Sequence, residues 1–200
     1  TPITAVDLIC RGHPGAETER VSQELFQIRH LVEQVLYYAR SEQVEKDYFI
    51  KPMLLGDTVS SALLSCRSIL LDAHIALCVS DLQERVNSDE KWVVFILRQI
   101  LMNAVQYRAS DDPRIRIYSE AKPQYVRLIV EDNGIGIAKE DLPRVFDKGF
   151  TGRNRSYQTS TGLGLYLCRR LCGRLGLGIR LESVPGQGTK VLLDFPLTKL

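Results

Sequence analysis

Four glycine-containing runs and one pattern of amides hold the residues of this 200-residue chain whose types and spacing can do chemistry. Asp132-Asn133-Gly134-Ile135-Gly136 follows an alternating apolar stretch. A carboxylate at a strand end can accept a hydrogen bond from an exocyclic amine, and neighbouring glycines allow close backbone approach. Phe146-Asp147-Lys148-Gly149-Phe150 comes next, followed by a polar run from Thr151 to Thr161 in which Arg153 and Arg155 add to the positive charge of Lys148. Lying between two glycine motifs, that run reads as a phosphate-covering lid. Thr161-Gly162-Leu163-Gly164-Leu165 then opens a helix. Glycines there bare backbone N–H groups at the positive end of the helix dipole, which favours anions. The run is not a P-loop, because no Gly-Lys-Ser/Thr follows, and not a dinucleotide fingerprint, because a loop rather than a strand precedes it. Gly186-Gln187-Gly188-Thr189 makes a turn into the last strand. Each run is a weak signal by itself; their order and gaps carry the information.

A long helix must stand beside these loops. Ser88 or Asp89 can cap it, and it runs to about Tyr107. Gln99, Asn103 and Gln106 fall on one stripe of that helix, beside an apolar stripe of Val93, Leu97, Ile100 and Ala104. A helix that turns amides toward its neighbours lines something polar, and the Asn103 amide oxygen suits a hard cation. Around it the pattern predicts a short strand at Tyr48–Ile50, a helix at Thr58–Ala73 and a strand at His74–Ser80. Further strands are predicted at 114–120 and 125–131, a helix from Gly162 to about Leu175, and strands at 178–184 and 189–195. Hairpin-linked strands with helices on one face make a mixed, largely antiparallel sheet, an α+β two-layer sandwich.

The first forty residues follow a different rule. Val21, Leu25, Ile28, Val32, Val35 and Ala39 step by four and three, forming an a/d seam. A shorter helical segment with Ile3, Val6 and Cys10 on one side precedes it, across the helix-stopping turn Gly12-His13-Pro14-Gly15. One hairpin leaves its seam partly bare, so two are expected to pair into a four-helix bundle, a homodimer. The division expected is residues 1–44 for the hairpin and 45–200 for the sandwich. A net charge of +2 from 26 basic and 24 acidic residues offers no electrostatic reason for a nucleic-acid partner. The five cysteines form no metal pattern, although Cys168 and Cys172 lie four apart. No run of 18 apolar residues exists, and the start at Thr1 rather than Met points to a fragment.

Taken together, Asn103 to Tyr107, Asp132-x-Gly134-x-Gly136, Phe146 to Phe150, Gly162-x-Gly164 and Gly186-x-Gly188 resemble the N, G1, F, G2 and G3 boxes of bacterial sensor histidine kinases. Those kinases share the Bergerat ATP-binding fold with gyrase, Hsp90 and MutL ATPases. The front hairpin resembles their dimerisation and phosphotransfer domain, whose motif reads His-Glu-x-Lys-Thr-Pro. Thr1-Pro2 matches the end of that motif, which places the expected start of the chain just after the phosphoacceptor histidine. None of His13, His30 and His74 has the acidic residue and Lys-Thr-Pro run beside it, so none is expected to accept phosphate. Asp89 to Ile96, Lys148 to Gly152 and Ser160 to Cys168 resemble the intramembrane-sensing kinases that work with peptide-antibiotic ABC transporters. The parent protein is then expected in a bacterial cell membrane, with this part on the cytoplasmic side.

The resemblance implies ATP and Mg2+ as cofactors and a response-regulator receiver domain as partner. Asp132 would hold the adenine amine, Tyr107 would pack near the ring, and Gly134 and Gly136 would shape the pocket. Asn103 would coordinate magnesium. Thr161 to Leu165, with Gly162 and Gly164, would let lid and helix approach the phosphates, whose charge Lys148, Arg153 or Arg155 would neutralise. Thr1 matches the position that orients water during dephosphorylation of the regulator. One departure is Gln106, where the family usually has Lys. Two other readings stand beside the kinase: a regulatory module that binds nucleotide without phosphotransfer, and an ATPase of the gyrase or chaperone type. The latter carries a catalytic Glu where this chain has Gln99, and a neutral amide cannot serve as general base.

Overall fold

The computed structural model describes residues 48–80, 82–152 and 161–197, together with Gly15, Thr18, Val21, Leu25, Ile28, Val32, Gln34 and Val35. The chain divides into two compact units, Thr1–Glu45 and Lys46–Leu200. In the first, Gly15 lies in a bend, and the Thr18 hydroxyl donates to its carbonyl at 2.7 Å. Thr18 and the described residues after it are helical. Val21, Ile28, Val32 and Val35 of the heptad seam are exposed on the single chain, and Leu25 is half-buried. The segment Ile3 to Cys10, residues 12–14, His30 and Ala39 lie outside the described residues, so the expected hairpin does too.

The second unit is an α+β sandwich. Its elements are β1 (Lys51–Leu54), α1 (Leu55–Ser65), α2 (Arg67–Asp72), β2 (Ala76–Val79), β3 (Arg85–Ser88), α3 (Glu90–Gln106), β4 (Arg114–Ala121), β5 (Tyr125–Asp132), α4 (Gly164–Arg174), β6 (Gly178–Val184) and β7 (Gly188–Pro196). Five strands form one sheet in the order β2-β4-β5-β7-β6, while β1 and β3 make a separate antiparallel pair. Only β2–β4 is parallel within the larger sheet. Strand alternation puts Ile115 and Ile117, Val126, Leu128 and Val130, and Val191, Leu193 and Phe195 in the core. Helix α3 adds Val93, Ile96, Leu97, Ile100, Leu101 and Ala104. The opposite side chains carry charge: Asp194 takes Arg127 and Arg180, and Glu131 takes Arg116 and Lys190.

Two local expectations are corrected and one element is added. Tyr48–Ile50 is not a strand, because the Phe49 N–H donates to Asp89 Oδ2 at 2.9 Å and pairing begins only at Lys51. The helix expected at Thr58–Ala73 starts at Leu55 and breaks at Cys66 into α1 and α2; the Ser65 hydroxyl, bonded back to the Ala62 carbonyl at 2.6 Å, competes at that break. Strand β3 was not expected, since Val86 is the one large apolar residue in Arg85–Ser88 and register with β1 supplies its pairing. Helix α3 does start where the capping residues predict: the Asp89 carboxylate accepts the Lys91 N–H at 3.1 Å.

Candidate nucleotide site

The end of β5 and the end of α3 meet at Asp132. Its Oδ1 accepts the Gly134 N–H at 2.8 Å, and a backbone bond from Thr189 reaches the same carboxylate. The Ile135 N–H donates to the Tyr107 carbonyl at 3.0 Å, so the loop after β5 is stitched to the C-cap residue of the helix. A Cβ on Gly134 would overlap that carbonyl oxygen, and one on Gly188 would overlap the carbonyl oxygen of Asp132. Gly136 stands equally close to the Val184 carbonyl. Asn133 ties the loop back to β4: its side chain accepts the Arg114 N–H at 2.7 Å and donates to the Asp112 carbonyl at 2.9 Å. Burial pushes the Asp132 carboxyl up to about 6, although the Gly134 and Thr189 bonds pull the other way. It is a fixed, half-buried acceptor with lone pairs to spare.

A second cluster forms where Gly149 and Phe150 meet Gly162. The Gly149 N–H donates to the Gly162 carbonyl at 3.0 Å, and Gly162, at φ 64°, leaves no room for a Cβ against the backbone of Gly149 and Phe150. Arg144 stacks on Phe150 at 4.7 Å, and Arg169 of α4 lies 5.6 Å from the Phe146 ring. Helix α4 begins two residues later with no side-chain cap, unlike α3. Eleven residues long, it presents an N-terminus whose orphan N–H groups and dipole suit phosphate oxygens. Lys148, next to Gly149 in sequence, is exposed. The Cys168 thiol contacts the Ile96 carbonyl at 3.8 Å, which seats α4 on α3.

The structure thus brings Tyr107, Asp132 and Gly134 together, with Gly136 in the same loop, and separately joins Gly149 and Phe150 to Gly162, with Lys148, Thr161 and Gly164 near them in sequence. Asn103 is half-buried on the last turns of α3, between the α4 contact at Ile96 and the loop contact at Tyr107. Thr1, Arg153 and Arg155 lie outside the described residues. The amide stripe is only partly as expected: Gln106 is half-buried, but Gln99 is in the core at 2% exposure. Cys168 and Cys172 are buried thiols, Cys172 pushed up to about 12 by desolvation, as inert core residues should be.

The family model of the histidine kinase-, DNA gyrase B- and HSP90-like ATPases matches residues 88–199, more than half of the chain. The chain belongs to that family. Among curated proteins it is 32% identical over 203 residues to the sensor histidine kinase YxdK of Bacillus subtilis, covering 100% of this chain and 62% of the relative. It is 36% identical over 200 residues to the sensor protein kinase GraS of Staphylococcus aureus, covering 98% of this chain and 57% of the relative. The chain therefore spans about three-fifths of the length of these relatives. The fold is also that of the histidine kinase ThkA solved in complex with the response regulator protein TrrA, with a TM-score of 0.69 at 20% identity over 99% of this chain and 57% of that one.

As a member of this family the chain carries an ATP-binding domain, and its two clusters fit the two ends of such a ligand. The half-buried carboxylate and close-packed glycines offer a purine edge an acceptor beside glycine backbone; the uncapped helix end suits the phosphates. Among the described residues no group of three His, Cys, Asp or Glu side chains could hold a metal ion. A divalent cation here would be held by phosphate oxygens plus a neutral oxygen such as that of Asn103, a donor set that fits Mg2+. Sequence reasoning missed Ser183, Arg144 and Arg169, which support the loops without standing in any glycine run.

Proposed function

We propose that this chain is the catalytic and dimerisation part of a sensor histidine kinase, which binds Mg-ATP and transfers its γ-phosphate to a histidine outside these 200 residues. The observation that carries this reading is the extent of the similarity to YxdK and GraS. It covers 98–100% of the chain, including the front unit that the ATPase family model does not reach. The rival gyrase- or chaperone-type ATPase would need a water-activating base on α3, and Gln99 is neutral and buried.

In this reading Asp132 accepts the adenine amine, Tyr107 borders the ring, and Gly162 to Leu165 place α4's free N–H groups on the phosphates. Lys148, with Arg153 and Arg155, neutralises their charge. Asn103 would hold Mg2+, which supplies charge neutralisation between the phosphates when bound. Phosphoryl transfer asks mainly for such positioning and electrostatics. The imidazole nitrogen attacks phosphorus in line, the bond to the β-phosphate oxygen breaks, and ADP leaves. The phosphate then passes to an Asp of a response-regulator receiver domain, and Thr1 orients water for the reverse, phosphatase duty.

Residues 1–44 form the dimerising hairpin and 45–200 the nucleotide domain. The exposure of Val21, Ile28, Val32 and Val35 on a single chain supports a homodimer through that seam. No helix among the described residues is long and apolar enough to cross a membrane. The membrane anchor and the link to a peptide-antibiotic ABC transporter rest on the resemblance to the intramembrane-sensing kinases.

The test extends the chain upstream through the histidine motif and adds γ-labelled ATP with magnesium. Acid-labile phosphate on the protein is the expected result. ATP binding without it would overturn the kinase in favour of the regulatory module.

A further inference from the structure

Ser183 lies on β6, outside every glycine run, yet its hydroxyl joins three segments. Its Oγ accepts the Ile137 N–H at 2.9 Å, donates to the Gly188 carbonyl at 2.7 Å, and lies 3.0 Å from the Thr189 hydroxyl. A serine hydroxyl has one proton to give and two lone pairs. With its proton on Gly188 and one lone pair on Ile137, the third contact must be a donation from Thr189 to Ser183. The hydroxyl is then saturated, and each partner is part of the frame around Asp132. Thr189 gives that carboxylate a backbone bond, Gly188 packs on its carbonyl, and Ile137 ends the loop that begins with it. The β6–β7 turn closes the same frame through the Gly186 N–H, bonded to the Ile135 carbonyl at 2.8 Å.

We propose that Ser183 is a positioning residue for adenine recognition: by locking the Asp132–Ile137 loop to the β6–β7 turn, it holds the Asp132 carboxylate where the exocyclic amine of the nucleotide meets it. Ser183 itself touches no nucleotide. The inference rests on the reading of Asp132 as the adenine acceptor. It predicts an effect on base discrimination, which a residue serving stability alone would leave unchanged.

The full 200-residue chain is titrated with Mg-ATP and with Mg-inosine triphosphate, whose base carries a carbonyl in place of the amine. Wild type should prefer ATP. Ser183→Ala should weaken ATP binding by about tenfold, the scale of one or two lost hydrogen bonds, and leave inosine triphosphate binding within about twofold. Ser183→Thr, which keeps the hydroxyl, should restore most of the preference. In an Asp132→Ala background, Ser183→Ala should change ATP affinity by less than about twofold, because the group it positions is gone. Equal weakening of both nucleotides, or a loss that persists without Asp132, overturns the role of Ser183 and leaves the adenine reading intact. A wild type that does not discriminate overturns both. Should Ser183→Ala fail to fold, Thr189→Val removes one of the three bonds and must show the same ATP-selective loss at smaller size; a non-selective loss there overturns the proposal.

Discussion

The two ends of the proposed nucleotide site are built by different means. Around Asp132, position is set by backbone packed on backbone: Gly134 under the Tyr107 carbonyl, Gly188 over the Asp132 carbonyl, Gly136 against Val184. Around the start of α4, only the Gly149–Gly162 pinch has that character. The rest is an uncapped helix end and cations over aromatic rings at 4.7 and 5.6 Å. The contrast fits the ligand proposed for it. A base is recognised by an edge of fixed geometry, which needs an acceptor held to within a few tenths of an ångström. Phosphates are recognised by charge, which tolerates displacement and rearranges when the γ-phosphate departs.

The largest effect should come from breaking the packed end. Gly188→Ala places a Cβ on the Asp132 carbonyl oxygen at a residue with φ 96°, so both the strand end and the turn must move. A loss of roughly 3 kcal/mol or more is expected, about 10 °C in thermal melting for a domain of this size, together with loss of ATP binding. Gly173→Ala is the contrast. It sits within α4, has open space around its Cβ, and should stabilise the helix by up to about 1 kcal/mol. Equal melting temperatures for the two variants would remove the distinction between packed and open glycines.

Those glycines look alike in sequence, which marks the limit of what the chain shows before folding. The alternation in 114–120 and 125–131 and the Asp89 cap are local signals, and each appears where expected in β4, β5 and α3. The other missed features are long-range. Strand β3 exists because β1 is there to pair with it. Ser183 matters because residues 137, 188 and 189 converge on it, and no local period encodes that. Gln99 shares a helical stripe with Asn103 and Gln106, but the helix is buried on nearly every side at that depth, so polarity alone misplaces it.

The second prediction uses pH to separate the two ends. Burial, aided by Glu131, raises the Asp132 carboxyl from 3.8 to about 6. The ionised form is the better acceptor for an amine, so ATP affinity should rise with pH up to about 6, by at most tenfold per unit, and level off above. Because the nucleotide's phosphates titrate nearby, the measurement is a comparison with Asp132→Asn, whose profile should lack that component. Proton linkage gives a matching sign for folding without nucleotide. The native carboxyl holds its proton more tightly than the unfolded chain does, so this group adds stability as pH falls from about 6 toward 3.8, opposite to a salt-bridged carboxylate. Identical pH profiles for the two proteins would take Asp132 out of the adenine site.

The smallest effect tests the phosphate end from the side of α3. Gln106 stands three residues after Asn103, half-buried on the last turn of the helix, where the kinases this chain resembles usually carry Lys. An amide can donate neutral hydrogen bonds to a phosphate but brings no charge, whereas a lysine adds a point charge on a flexible stem. Gln106→Lys should therefore tighten Mg-ATP binding by about twofold to fivefold, an amount typical of a partly exposed ion pair, and the gain should shrink as salt is added. Adenosine, which has no phosphates, should bind the variant and wild type alike. A cation at the helix C-terminus also favours the dipole, so a rise in melting temperature by itself does not count as support. Unchanged or weaker ATP affinity would mean that the phosphates are held from α4 and the lid alone, and that α3 contributes to the site only through Asn103 and Tyr107.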